Sequence, residues 1–535
     1  MSIQIQQIAY RHADNSMLFS DINLTINKGE KVSLIGQNGS GKSTLLRMIA
    51  GDLPATSGEI ITQATPYYIP QHFGQYDHQT VAEALRIHDK LQALHAIENG
   101  DASENNFTLL DDDWGIEERS LAALAHWGLS HISLTQSFAA LSGGEKTKAF
   151  LAGLQIHTPE IILFDEPTNH LDAVSREQYY RYIQSENATL LIVSHDRALL
   201  NLLPLTYELG HTGITTYGGN YDFYKEQKQW QLEALQESLD EKEKELRLAK
   251  KIARETLERK QKHEARGKKQ KIKEGVGKMA MDTLQDRAEK SASKLKDTHV
   301  EKARQLTENI DELRKILPDK RTMKVDLNAS HLHTGKILVK AQQVNFAYEG
   351  ADPLFPEPLD FTVKSGDRLM LRGNNGSGKT TLLKLIVGRL QPQTGIIERA
   401  DFDYIYIDQE YAIIRNELTV YEQAEEYNDR HLPEHEIKML LSRYLFSHES
   451  WNKPCSALSG GEKMRLAICC LMIGNQTPDM ILLDEPTNNL DIASIEILTS
   501  VIRDYRGTIL AVSHDARFLE ESDVNGELLI VNGIK

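Results

Sequence analysis

Short apolar runs separated by polar, glycine-rich turns recur along the chain, and one ordered set of them occurs twice. KVSLIG (31–36) in the first half is matched by RLMLRG (368–373) in the second. Runs of this length with few charges predict strands buried in a parallel sheet. Each leads through a glycine-rich turn into a segment with helical spacing, TLLRMIAG (44–51) and TLLKLIVG (381–388). A second pair of runs ends in acids, IILFDE (161–166) and ILLDE (481–485), and a third in serine–histidine–aspartate, LIVSHD (191–196) and LAVSHD (510–515). Order and approximate spacing agree, which predicts a duplicated α/β domain of about 200 residues.

Between the copies the pattern changes. Residues 225–317 contain no proline, and Glu, Lys, Gln and Ala dominate. Leu232, Leu235, Leu239, Leu246, Ala249, Ala253 and Leu257 follow three/four spacing, as do Leu284, Ala288, Leu295, Leu306, Ile310, Leu313 and Leu317. That predicts two amphipathic helices packed antiparallel, turning near 275–277 and stopping at Pro318, with arms of roughly 35–45 residues or about 50–65 Å. The expected architecture is α/β: two tandem phosphate-loop domains, 1–222 and 323–535, joined by a long antiparallel α-helical hairpin over 223–322. Gln71 and Leu141 are 70 positions apart, whereas Gln409 and Leu458 are 49 apart. The difference places a short acidic insertion at about 93–118 of the first domain.

Composition changes this picture at one place. The 535 residues carry a formal net charge of −16, which on average argues against nucleic acid. Yet Arg259, Lys260, Lys262, Arg266, Lys268, Lys269, Lys271, Lys273 and Lys278 face only Glu264 and Glu274, so the approach to the hairpin tip is strongly basic. Balanced Glu/Lys pairs would suffice to solubilise a helix, so this run points to phosphate contacts. No apolar run approaches the length of a membrane span. Cys455, Cys469 and Cys470 have neither metal-site spacing nor the makings of a disulfide framework, which suits a reducing cytoplasm.

The chemistry sits in the duplicated motifs. GQNGSGKST supplies Gly36, Gln37, Asn38, Gly39, Ser40, Gly41, Lys42, Ser43 and Thr44; GNNGSGKTT supplies Gly373, Asn374, Asn375, Gly376, Ser377, Gly378, Lys379, Thr380 and Thr381. Both have the G-x-x-x-x-G-K-[ST] spacing, whose backbone N–H groups and helix N-terminus cradle phosphate. Lys42 and Lys379 can then reach the β- and γ-phosphates, and Ser43 and Thr380 are placed for Mg²⁺. Asp165 and Asp484, at strand ends, can hold the same ion. Glu166 and Glu485 can orient and deprotonate an attacking water. Gln71 and Gln409, and His195 and His514, recur in register, which suggests a metal or water ligand and a γ-phosphate contact.

This set, with LSGGE at 141–145 and 458–462 and DEPTN at 165–169 and 484–488, resembles the ATP-binding cassette superfamily across most of both halves. The resemblance implies that Ser142, Gly143 and Gly144 cap the nucleotide held at Lys379, and that Ser459, Gly460 and Gly461 cap the one held at Lys42. It places adenine on Tyr348 in the second half and, in the first, on His12 or its neighbour Tyr10. Two cassettes flanking a charged hairpin are similar to the ABC-F family. That implies an ATPase that docks on the ribosome with ATP bound, reaches towards the P-site tRNA and peptidyl-transferase centre, and leaves on hydrolysis. Members serve as translation factors or protect ribosomes from antibiotics. The competing expectation is the cytosolic tandem ATPase of a solute importer, which needs no basic hairpin. A chromosome-organising ATPase would carry its coiled coil inside one cassette.

Overall fold

The apolar runs fold as the central strands of two parallel sheets in the computed structural model. It describes residues 2–12, 14–101, 103–210, 213–274, 301, 304–314, 332–350, 352–373, 376–408, 411–474, 478–488 and 490–530, with side chains of the long central helix given only as far as Glu258, Ala253, Thr256 and Leu257 excepted. The chain divides into two units: Met1–Asp222 together with Met323–Lys535, and Phe223–Thr322.

In the first cassette a six-stranded sheet runs in the order Tyr67–Ile69, Ile161–Asp165, Thr189–Val193, Lys31–Ile35, Leu205–Gly210, Gly213–Tyr217. All neighbours are parallel except the last pair. The second cassette repeats the first five positions with Tyr404–Ile407, Met480–Asp484, Thr508–Val512, Arg368–Arg372 and Gly526–Leu529. The strands Ile161–Asp165, Thr189–Val193, Met480–Asp484 and Thr508–Val512 are buried along their whole length. Burial on both faces is what makes their sequences continuous apolar runs rather than alternating ones. Each cassette adds a three-stranded antiparallel sheet, centred on Ile3–Arg11 and on Ile337–Asn345. The helices Lys42–Ala50 and Lys379–Ile386 pack their leucines between the two sheets of their cassette.

The helices between the glutamine and LSGGE differ. The second cassette has Val420–Glu426 and Glu434–Arg443; the first has Val81–Ala84, His88–Glu98, Glu104–Leu110 and Ile116–His126. The stretch read as an acidic insertion is therefore largely helical, with Asp113 gathering Lys90 at 3.2 Å and Arg119 at 2.9 Å.

The other unit holds all but the first two residues of one helix, Tyr221–Glu274, 54 residues. That corrects the expected arm of 35–45 residues: the helix already begins in YDFYKEQ, and its single Gly267 is tolerated in the interior. At 1.5 Å per residue it spans about 80 Å. Leu239 and Ile310 are buried together, with Leu232, Leu235, Leu246 and Leu313 against them, and Arg314 pairs with Glu243 at 2.6 Å. The turn at 275–277, Leu284, Ala288, Leu295, Leu317 and Pro318 lie outside the described residues, as do the side chains of the basic run from Arg259 to Lys273 and all of Lys278.

Candidate functional site

Both glycine-rich loops close the C-terminal end of a central strand, where the sheet order reverses and helices leave on either side; clefts for ligands form there in open α/β sheets. Gly41 and Gly378 immediately precede the helices and take φ of +96° and +91°. A Cβ on Gly41 would lie 2.7 Å from the Phe19 ring, and one on Gly378 would lie 2.5 Å from Leu354, so no other residue fits. Lys42 Nζ donates to the carbonyls of Gly36 (2.8 Å) and Gln37 (3.1 Å), and Lys379 Nζ to that of Gly373 (2.8 Å). Burial lowers the pKa of both lysines, against the pull of the neighbouring carboxylates.

Facing each loop is an acid pair at the end of a buried strand. Ser43 Oγ donates to Asp165 Oδ1 at 3.1 Å, while Tyr68 Oη donates to Oδ2 at 3.1 Å. In the second cassette Tyr406 Oη donates to Asp484 Oδ2 at 2.8 Å, and Oδ1 is buried with no hydrogen-bond partner among the described residues. In each cassette a tyrosine hydroxyl thus fixes one carboxylate oxygen, leaving the other turned towards Ser43 or unpartnered. Sequence reasoning missed Tyr68 and Tyr406. The signal was available: a tyrosine stands three residues before the repeated glutamine in both halves.

Glu166 and Glu485 adopt φ of +52° and +51°, a left-handed conformation that costs a non-glycine residue energy and is retained where the surroundings dictate it. His195 Nε2 is 3.4 Å from Glu166 Oε1, and His514 Nε2 is 3.2 Å from Glu485 Oε1. Burial pushes the Glu166 carboxyl up to about 8, with Asp165 adding to the rise, and pushes Glu485 to about 7. Burial also lowers His195 to about 3 and His514 to about 4, so both imidazoles are neutral. An imidazole beside a carboxyl whose proton is exchangeable near neutrality is a competent arrangement for handling a water proton.

Ser142 and Ser459 are exposed at the starts of the helices Gly143–His157 and Gly460–Gly474. Each is locked by the glutamate of LSGGE: Ser142 Oγ donates to Glu145 Oε2 at 2.7 Å, and Ser459 Oγ to Glu462 Oε2 at 2.9 Å, with the reciprocal backbone bonds completing a capping box. Each signature helix abuts the aspartate that follows DEPTN in its own cassette. Lys148 lies 3.8 Å from Asp172, and a Cβ on Gly461 would lie 3.7 Å from Asp491 Oδ1. Those aspartates act on the opposite cassette: Asp491 on Lys42 and His195, Asp172 on Lys379 and His514. Ala173 lines a cleft of about 280 Å³ with Lys379 and His514. The repeat made LSGGE visible but not the crossing of its aspartate.

Not every candidate sits in these clusters. Tyr348 borders a cleft of about 290 Å³ with Gly376, Lys379, Thr380, Asp484 and Glu485, and its Oη is 2.9 Å from Thr381 Oγ1. His12 is exposed, its ring 5.6 Å from that of Tyr10, so the two adenine candidates of the first cassette stand side by side. Gln71 is half-buried just past its strand. Asn374, Asn375 and Gln409 lie outside the described residues.

A sequence family described as "ABC transporter" matches residues 19–169 and 356–488. ABC transporter F family member 5 of Arabidopsis thaliana is 29% identical over 540 residues, covering 94% of this chain and 71% of that protein. The ribosome protection protein VmlR of Bacillus subtilis (strain 168) is 29% identical over 532 residues, covering 99% and 87%. Among solved structures, that of an RNase-L inhibitor superposes with a TM-score of 0.58 at 20% identity, covering 98% of this chain and 87% of that one; at this identity the likeness is one of fold.

Proposed function

Since the chain belongs to the ATP-binding cassette superfamily, in its ABC-F branch, and is an ATPase with two tandem cassettes, we propose that its two nucleotide pockets close reciprocally across the cassette seam. Ser142, Gly143 and Gly144 complete the pocket of Lys379, and Ser459, Gly460 and Gly461 that of Lys42. The observation that carries this reading is the packing of the first cassette's helix Ala173–Ser185 on the second pocket: Ala173 lines one cleft with Lys379 and His514, and Arg176 bonds the His514 backbone.

Within each pocket the loop N–H groups and the lysine receive the β- and γ-phosphates, and Tyr348, or His12 with Tyr10, takes the adenine. The donors around Asp165 and Asp484 are all oxygens, with Asp484 Oδ1 left unpartnered. That set suits Mg²⁺, which prefers hard oxygen ligands and keeps room for phosphate and water. Ser43 with Asp165, and Thr380 with Asp484, would hold the ion, with Gln71 and Gln409 as the further ligands the repeat suggests; when bound, it would neutralise charge on the phosphate oxygens. Glu166 or Glu485 takes a proton from water as its oxygen attacks the γ-phosphorus and the bond to ADP breaks. His195 or His514 fixes the carboxylate and touches the γ-phosphate.

The coarser statement, a ribosome-associated ATPase, rests on relatives such as VmlR. The finer proposal is that ATP closure sets the pose of the 223–322 hairpin, whose basic residues contact rRNA and P-site tRNA near the peptidyl-transferase centre, and that hydrolysis releases the protein, a cytoplasmic monomer. An E166Q/E485Q variant tests it. With ATP it should co-sediment with 70S ribosomes, and a chain lacking 259–290 should keep basal ATPase yet lose its effect on translation. Trapped protein that stays off ribosomes would refute the proposal.

A further inference from the structure

The seam is chemically one-sided. At the fourth position after the aspartate of DEPTN-x-LD the first cassette has Arg176 and the second Ile495, which is 2% exposed. Arg176 Nη2 donates to the Thr168 carbonyl of its own cassette at 3.0 Å, and its guanidinium lies 3.7 Å from Asp196, itself held by the Tyr180 hydroxyl. Thus braced, Nη1 donates across the seam to the backbone carbonyl of His514 at 3.0 Å. The His514 imidazole is the group 3.2 Å from Glu485. An isoleucine at the matching place can donate nothing to the backbone of His195; the bond from the histidine N–H to the glutamate is common to both cassettes, 3.1 Å long for His195 and Glu166 Oε2, so the carbonyl contact is what differs.

We infer that Arg176 is a positioning residue acting in trans: it holds the His514 backbone, and with it the imidazole, against Glu485, so the second pocket depends on the first cassette through a contact that has no counterpart among the described residues. The inference rests on the two-pocket reading above. A donor clamped at both ends restrains a backbone carbonyl in a water-poor seam, and charge-assisted bonds are the stronger kind there. Its loss should register in turnover rather than in nucleotide affinity, because Arg176 supports the base and histidine rather than the phosphate loop.

The test isolates each pocket in the full-length protein. E166Q leaves the second pocket turning over, and E485Q the first. R176A and R176I, the latter carrying the residue of the matching position, are placed in both backgrounds. The expected result is a fall in kcat of about tenfold in the E166Q background with KM for ATP little changed, and a fall smaller than about twofold in the E485Q background. R176K, which keeps a charged donor, should recover part of the loss. Equal falls in both backgrounds would mean that Arg176 merely stabilises the seam, and no fall in either would mean that it does nothing; both overturn the inference. If neither E166Q nor E485Q lowers wild-type turnover, the two-pocket reading fails instead, whatever Arg176 does.

Discussion

The two cassettes share a machine but not a seam. Both have the strained glutamate, the neutral histidine at its side, the tyrosine on the strand-end aspartate and the serine–glutamate capping box. Where they meet, the first contributes arginines and the second mostly receives them. Arg197, with no exposed side chain, reaches Glu521 at 2.7 Å and Asp515 at 3.6 Å, while the position matching Arg197 is Ala516. Duplication preserved what each pocket needs by itself and let the shared surface diverge.

The largest effect that would sharpen this comparison is on turnover. E166Q/E485Q should lower kcat by about 10²–10⁴-fold, the usual worth of a positioned base, while each single variant retains the turnover of the other pocket. Steady-state ATPase assays check it. A single variant as inactive as the double one would show that the pockets fire only together.

Next comes the seam itself. R197A removes a fully buried guanidinium from Glu521 and Asp515; because Glu521 is one-third exposed and keeps Arg517 at 3.0 Å, the loss should fall below the about 3–5 kcal/mol of a fully buried pair. Thermal unfolding should show a clear fall in Tm. R517A, at a half-exposed pair with Asp222 (2.9 Å), should cost only about 0–1 kcal/mol.

A smaller effect compares the tyrosines. Y406F and Y68F each remove a donor to a carboxylate, a bond worth about 1.5–3 kcal/mol when the acceptor is charged. The Mn²⁺ dissociation constant, read by electron paramagnetic resonance with ATP, should rise in both, more for Y406F, whose bond is shorter.

The smallest is a pH effect. Glu166 near 8 and Glu485 near 7 are both raised by burial, so in the free protein each carboxyl is protonated below its value and serves as a base only above it. The kcat/KM profile should therefore climb between about pH 7 and 8, with the E485Q variant climbing later than E166Q. An exposed glutamate would have finished titrating near its ordinary value.

Much of this was legible in the sequence because local chemistry repeats. The loops, the DE pairs and LSGGE each had to fit the same phosphate-bearing cleft, so duplication marked them twice. Arg176 and Arg197 were not legible: their partners lie more than 300 positions away, at His514 and Glu521, and nothing in the other copy repeats them. Asp172 and Asp491 stood inside a recognised motif, but only packing reveals that each works on the opposite lysine. The helix from Tyr221 outran its expected length because its aromatic lead-in reads as loop until it is seen to be helical.

Reciprocal closure is tested most directly by disulfide formation across the seam. Cys455, Cys469 and Cys470 are buried, and a Cβ on Gly39 or Gly376 would meet nothing within 4 Å, so cysteines placed there have room to react, at the cost of the strain that φ of +80° and +76° puts on any side chain. In the E166Q/E485Q background, S142C with G376C and S459C with G39C should each cross-link when ATP is added and stay reduced without it. ATP-dependent cross-linking of the same-cassette pairs, S142C with G39C and S459C with G376C, would contradict the account.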